Sequence, residues 1–290
     1  MTWIFVMTGA AVFFALNEIL KKKILENADV IDMMVIMGSI GFLAMLPFFK
    51  FIDPNVSIKN LLLIALNTLL FFGGSFLFNL AYKHCEISTV SPLFNLNPLL
   101  VIFISYFILG EVLNGLQFLG VFLILIGGYI ITLKNIKKFF RPFTSMPKKY
   151  FTIVISALVM WSFCPVINRI VLFEIDSFTY LFFHVMFVFF IQIFLIVTKK
   201  NRLRDVVALT GKSWPLLTAA CVCWLASDFL HLIAIAIPET VVSLAMPVKR
   251  ISTLFIVILG GNLFNEKDIN MKSTACVVML AGLFVIGFYS

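Results

Sequence analysis

Lys249 and Arg250 stand side by side about ten residues into the apolar stretch 240–264, with no other charge between Glu239 and Glu266. Arginine offers a planar fork of donors to a carboxylate or phosphate and lysine a mobile point charge, so the pair suits an anion. The alternative is ion pairing between neighbouring segments, for which Asp228 and Glu18 are the available acids. Pro247, just before the pair, has no N–H to continue a helical ladder and frees backbone to line a cavity. Asn95 and Asn97, ahead of Pro98, form a comparable constellation that either hydrogen-bonds the polar part of a substrate or packs between helices. Asp228 and His231, three residues apart and therefore on one helix face, are suited to carry protons. Glu18 is a further proton carrier or, alternatively, a partner of the adjacent Lys21, Lys22 and Lys23. Phe14, Tyr82, Trp161 and Trp224 are candidate lining aromatics, while His184 and Gln192 read as core hydrogen-bonding groups and Arg169 as a span-boundary residue near Asp176.

These groups do not add up to an enzyme. No nucleophile, base and orienting residue occur together, so no catalytic residue is assigned. Asp228 and His231 without a third ligand are too few for zinc, and Cys85, Cys164, Cys221, Cys223 and Cys276 lie in or beside apolar stretches without metal or redox spacing. Neither a metal nor a cofactor is therefore expected. A phosphate-binding loop is also missing from the sequence, which points to work driven by a gradient or by exchange.

The elements that must position these residues are set by composition. Of 290 residues, 62% are hydrophobic and 12% charged, against about 25% charged in soluble domains, and the mean hydropathy is +1.09. Apolar runs of the length that crosses a bilayer recur at 2–20, 30–52, 59–82, 87–109, 114–134, 150–172, 177–198, 213–236, 240–264 and 270–289. Their apolar character is continuous and not alternating, which excludes a barrel. The opening residues have no basic leader, so the first run is expected to be a retained helix. The net charge of +8 sits mostly in short loops, where lipid headgroups and orientation explain it and no nucleic-acid partner is implied.

A basic linker at 137–149 divides the chain into halves, 1–136 and 150–290, that look alike. An offset of 147 sets Phe14 on Trp161, Lys22 on Arg169 and Asp29 on Asp176; an offset of 155 sets Ala81 on Ala236, Ser88 on Ser243, Pro92 on Pro247, Glu111 on Glu266 and Gly127 on Gly282. Five helices per copy make the second copy enter the membrane from the opposite side. The expected fold is an all-α integral membrane protein whose ten transmembrane helices form a 5+5 inverted repeat, with a substrate site near the midplane where the halves meet.

Segment 86–111, with Pro92, Asn95, Asn97, Pro98, Gly110 and Glu111, followed by Gly120, Gly127 and Gly128, resembles the EamA-type permeases of the drug/metabolite transporter superfamily. Segment 240–266, with Pro247 and Glu266, resembles the same signature in the second half. The resemblance implies ten helices, export or exchange of metabolites, and termini in the cytoplasm. The Lys249–Arg250 pair is similar to the phosphate-binding pair of the sugar-phosphate translocator branch, but the fourth span has no lysine to add a third cation.

The resulting expectation is a secondary transporter, monomeric or homodimeric, that moves a small anionic or zwitterionic metabolite, phosphorylated ones included, by alternating access. Lys249 and Arg250 would hold the anion, Asn95 and Asn97 orient its polar part, and Glu18, Asp228 or His231 couple protons. The rival readings are a flippase for a lipid-linked phosphate and an intramembrane enzyme. A bacterial or archaeal plasma membrane is the expected location. Loops after the odd-numbered spans hold 17 Lys and Arg against three on the other face, Lys50, Lys59 and Arg169. The positive-inside rule then puts both termini outside the cytoplasm, opposite to the topology that the resemblance implies. A phosphatase reporter fused after Ser290, active only outside the cytoplasm, should be active; an active cytoplasm-specific reporter at the same place would refute this orientation.

Overall fold

In the computed structural model, residues 2–26, 28–85, 90, 93–132, 146–198, 202–256 and 269–289 are described, with side chains except at 82–83, 132, 197–198, 202–208, 210–212 and 269–273. Ten α-helices follow one another among these residues: α1 (Thr2–Leu25), α2 (Val30–Met45), α3 (Ile58–His84), α4 (Asn97–Leu109), α5 (Gly115–Thr132), α6 (Lys148–Leu172), α7 (Ser177–Thr198), α8 (Arg202–Ala236), α9 (Val242–Lys249) and α10 (Ile269–Tyr289). Six of the described helical segments are long and apolar enough to cross a membrane. Large apolar side chains such as Phe103, Phe107, Phe122, Phe284 and Phe288 are exposed on the outside, as expected where the surroundings are lipid. The protein is an integral membrane protein.

Local chemistry explains where the helices differ from the apolar runs. The run 30–52 changes into a 3-10 turn, Leu46–Phe51, where Pro47 cannot donate to the ladder. The run 213–236 is the straight part of a longer α8, which bends at Ser213, two residues before Pro215. The runs 87–109 and 240–264 are both interrupted midway, at Asn95–Leu96 and at Arg250–Ile251.

These two interruptions lie 155 residues apart and carry corresponding backbone bonds. Leu96 N–H donates to Leu93 O and Leu99 N–H to Leu96 O, both at 3.0 Å; the counterparts are Ile251 N–H to Val248 O at 3.0 Å and Leu254 N–H to Ile251 O at 2.9 Å. Each is a bond to the third residue back, tighter than the α-helical fourth. The packing is paired in the same way: α1 lies on α8 and α3 on α6, while α2 meets α7, α4 meets α9 and α5 meets α10.

The α5–α10 contact shows how little room separates these helices. A Cβ on Gly282 would lie 2.6 Å from Gly120 O, and one on Gly127 would lie 2.8 Å from Ala275 O. Small residues let the two backbones touch, a contact that replaces the missing hydrophobic drive in lipid. Gly282→Ala should therefore destabilise the protein by about 1–3 kcal/mol through overpacking, read as a lower unfolding midpoint in detergent. Gly115→Ala, where nothing lies within 4 Å, should leave the midpoint unchanged; equal midpoints for both variants would refute the close-approach reading.

Candidate functional site

The interrupted helix α9 carries the paired cations. It begins at Val242, where the Glu111 carboxylate accepts from Val242 N–H at 2.7 Å, Ser243 N–H at 2.8 Å and the Ser243 hydroxyl at 2.6 Å. Gly110, at φ 69°, ends α4 in the left-handed region and turns the chain so that Glu111 arrives there. An acid therefore sits at the N-terminus of this half-helix and Lys249 and Arg250 at its C-terminus, both favourable against the helix dipole. Glu266, the counterpart of Glu111, lies outside the described residues.

Beside Lys249 and Arg250 lies a cavity of about 160 Å³, walled by α1, α3, α4, α6, α7, α8 and α9. Lys249 Nζ is 4.0 Å from Asp228 Oδ1 and 5.6 Å from the centre of the Phe14 ring. The Arg250 guanidinium lies 3.7 Å over Phe94 and donates to Asn97 Oδ1 at 3.1 Å. Asn97 in turn donates to Leu158 O at 3.0 Å and to Ser162 Oγ at 2.9 Å, so its acceptor oxygen is held facing the arginine. Phe94 packs against Phe78 and Trp161, which together form an aromatic wall.

Exposure falls from one end of this cavity to the other. Glu18 and Lys21, ion-paired with each other, keep 26% and 22% of their side-chain surface open, whereas Arg250 is 7% exposed and Asn67 3%. Towards the closed end, Asn67 Nδ2 donates to Asn168 Oδ1 at 2.8 Å and to the Tyr180 hydroxyl at 2.6 Å. Tyr180 donates to Asn168 Oδ1 at 2.7 Å, and Asn168 Nδ2 is 3.4 Å from His231 Nε2. Beyond this network Arg169 donates to the carbonyls of Ile235, Ile237 and Pro238. That fastens the end of α6 to the end of α8.

The residues singled out from sequence fall into distinct places. Lys249, Arg250, Asn97, Glu18, Asp228, His231, Phe14, Trp161 and Trp224 line one cavity. Asn95 is not among its lining residues: it donates to Gly128 O at 2.7 Å and accepts from Thr253 at 3.2 Å, tying α4 to α5 and to the continuation of α9. The Tyr82 side chain lies outside the described residues. His184 bonds Thr68 at 2.9 Å and Gln192 donates to Met34 O at 2.8 Å, core bonds of the kind expected, although His184 also borders the cavity. Asn67, Asn168 and Tyr180 gave no sign in the sequence, because uncharged polar residues within spans are common and nothing near them marks depth. Among the described residues no three His, Cys, Asp or Glu are grouped to hold a metal.

Comparison with known proteins agrees with this architecture. Residues 1–133 match the model of the EamA-like transporter family, a family of transporters and not enzymes. No curated protein matches the sequence. A solved structure, titled only as the crystal structure of a protein, superposes with a TM-score of 0.71 at 14% identity, covering 99% of this chain and 98% of that one; the likeness is one of fold.

Glu111→Ala removes three hydrogen bonds from the start of α9 and should cost about 1–2 kcal/mol of stability, at the upper end for a helix cap. The midpoint of unfolding should fall while Glu111→Asp recovers part of the loss. An unchanged midpoint for Glu111→Ala would remove the cap from the structure that holds Arg250.

Proposed function

We propose that this membrane protein, whose residues 1–133 match the EamA-like transporter family, is a transporter that moves a small anionic or zwitterionic metabolite through the cavity by alternating access. The observation that carries the reading is the position of Arg250, buried, and Lys249, half-buried, at the end of a half-helix and lining one cavity. The α4 half-helix begins at Asn97 next to Arg250, so its positive N-terminal dipole points to the same place, the arrangement that transporters with discontinuous helices use for anions. Lys249 and Arg250 hold the anion and Asn97 fixes the arginine.

The charge balance narrows the substrate. Lys21, Lys249 and Arg250 face Glu18 and Asp228, three cations against two carboxylates among the described lining residues. A net charge of one positive unit matches a carboxylate better than a phosphate monoester, which carries about −1.5 to −2 at pH 7. Asp228 already shares Lys249, so an arriving anion competes with it, and protonation of Asp228 would release the lysine to the substrate. This is the route by which Asp228, with His231 and Glu18 as further carriers, couples protons to transport.

Two repeats, 1–136 and 150–290, joined by the linker 137–149, exchange the open and closed ends. The bonds repeated at an offset of 155 and the pairing of α1 with α8 and α3 with α6 support this division. With the lysine-rich loops in the cytoplasm of a bacterial or archaeal cell, the end at Glu18 and Lys21 opens inward and the Arg169 clasp closes the outer end.

Arg250→Ala should reduce affinity for a transported anion by at least about a hundredfold, the loss of a charge-assisted pair at a buried site, while the protein inserts and purifies normally. The check is thermal stabilisation by carboxylates, phosphate esters and a short-chain lipid phosphate. Unchanged stabilisation by every anion in the Arg250→Ala protein would reject the site, and stabilisation that requires an acyl chain would indicate a flippase.

A further inference from the structure

The closed end of the cavity holds two buried polar atoms that the anion site does not use. Asn67 Oδ1 and His231 Nδ1 have no hydrogen-bond partner among the described residues, in side chains only 3% and 7% exposed. Both residues line the cavity. Buried polar groups are nearly always paired, and these two share one network and one cavity lining.

The network also fixes what each atom offers. Asn168 Oδ1 accepts from Asn67 and from Tyr180, so the other end of its amide, Nδ2, is the one that faces His231. Nδ2 is a donor, and His231 Nε2 must accept, which places the proton of the neutral ring on Nδ1. Asn67 spends its Nδ2 donors on Asn168 and Tyr180, and its free oxygen is an acceptor. Two residues of the cavity lining therefore hold an unused donor, His231 Nδ1–H, and an unused acceptor, Asn67 Oδ1, within a chain of bonds that joins α3, α6, α7 and α8. A cation would satisfy only the oxygen and an anion only the ring N–H. A hydroxyl or a primary amide satisfies both.

We propose that Asn67 and His231 form a second subsite, for a neutral group that both donates and accepts a hydrogen bond, carried on the end of the substrate away from its anion. This rests on the anion reading of Lys249 and Arg250 only in naming the other end. Phe71 stacks edge-on against His184, with ring centres 5.3 Å apart, and Phe78, Phe94 and Trp161 wall the cavity beside Arg250. The substrate is then an anion joined through an apolar middle to a hydroxyl or carboxamide.

The test is binding to the detergent-purified full chain, followed by thermal shift, of ω-hydroxycarboxylates and ω-carboxamides of rising length, each against the unsubstituted carboxylate of the same length. A parallel set pairs α,ω-diols with n-alcohols. At one preferred length the hydroxyl or amide member should bind about tenfold more tightly than its partner, the worth of one to two buried hydrogen bonds. Asn67→Leu should erase that preference while keeping the affinity for the unsubstituted carboxylate, which also shows that the variant is folded. If Asn67→Leu fails to fold, the paired affinities of the unmodified protein decide without it. Equal affinities within every pair, or a preference that survives in Asn67→Leu, would overturn the subsite and leave the anion site standing. A preference for diols over alcohols without any response to carboxylates would overturn the anion site and leave the subsite. No binding by any probe would overturn both.

Discussion

The structure depends on how two adjacent cations are kept at depth in a chain with so few charges. Each ionised side chain costs about 2.5–3.5 kcal/mol at the centre of a membrane helix, and Lys249 and Arg250 bear that cost together. Three features offset it. Asp228 lies 4.0 Å from Lys249, Phe94 offers its ring face to Arg250 at 3.7 Å, and both cations sit at the C-terminal end of α9, which favours positive charge. Each needs the helix to stop at Lys249. An unbroken span would deny the pair its C-terminal dipole and would leave Asn97, on the facing half-helix, without a reason to turn its oxygen inward.

The same break explains why a cavity exists at this level. The end of α9 and the start of α4 meet through Arg250 and Asn97, both of which line the cavity. Asn95 and Thr253 bridge the gap on the packed side, and the cavity occupies the other. The packed pairs α1 with α8 and α3 with α6 form part of its wall. The Asn67–Asn168–Tyr180 network lines the cavity, as does the Glu18–Lys21 pair.

Sequence reading reached the helical fold, and singled out the two cations, for the same reason: in an apolar chain, a long uncharged run or an isolated charge stands out against its surroundings. Ten runs corresponded to ten helices, and Lys249 and Arg250 line the cavity because ionised groups at depth have few other places to go. Neutral amides carry no such signal. Asn97 and Asn95 look alike in sequence, two residues apart, but the first faces Arg250 and the second ties together three helices, because the turn at Asn95–Leu96 sends them in different directions. Asn67, Asn168 and Tyr180 come from three different helices, and only the packed bundle shows that they meet. The bend of α8 at Ser213 and the exact extent of α1 depend on neighbours in the same way.

The central claim is that Lys249 and Arg250 make the cavity selective for anions, which can be measured without knowing the substrate. In a cysteine-free background, Ser75→Cys places a thiol in the cavity wall, and its rate of reaction with a negatively charged methanethiosulfonate can be compared with the rate for a positively charged one. Selectivity set by the cation pair predicts faster reaction with the anionic reagent and a preference that shrinks in Arg250→Gln. Faster reaction with the cationic reagent, or a preference untouched by Arg250→Gln, would contradict it.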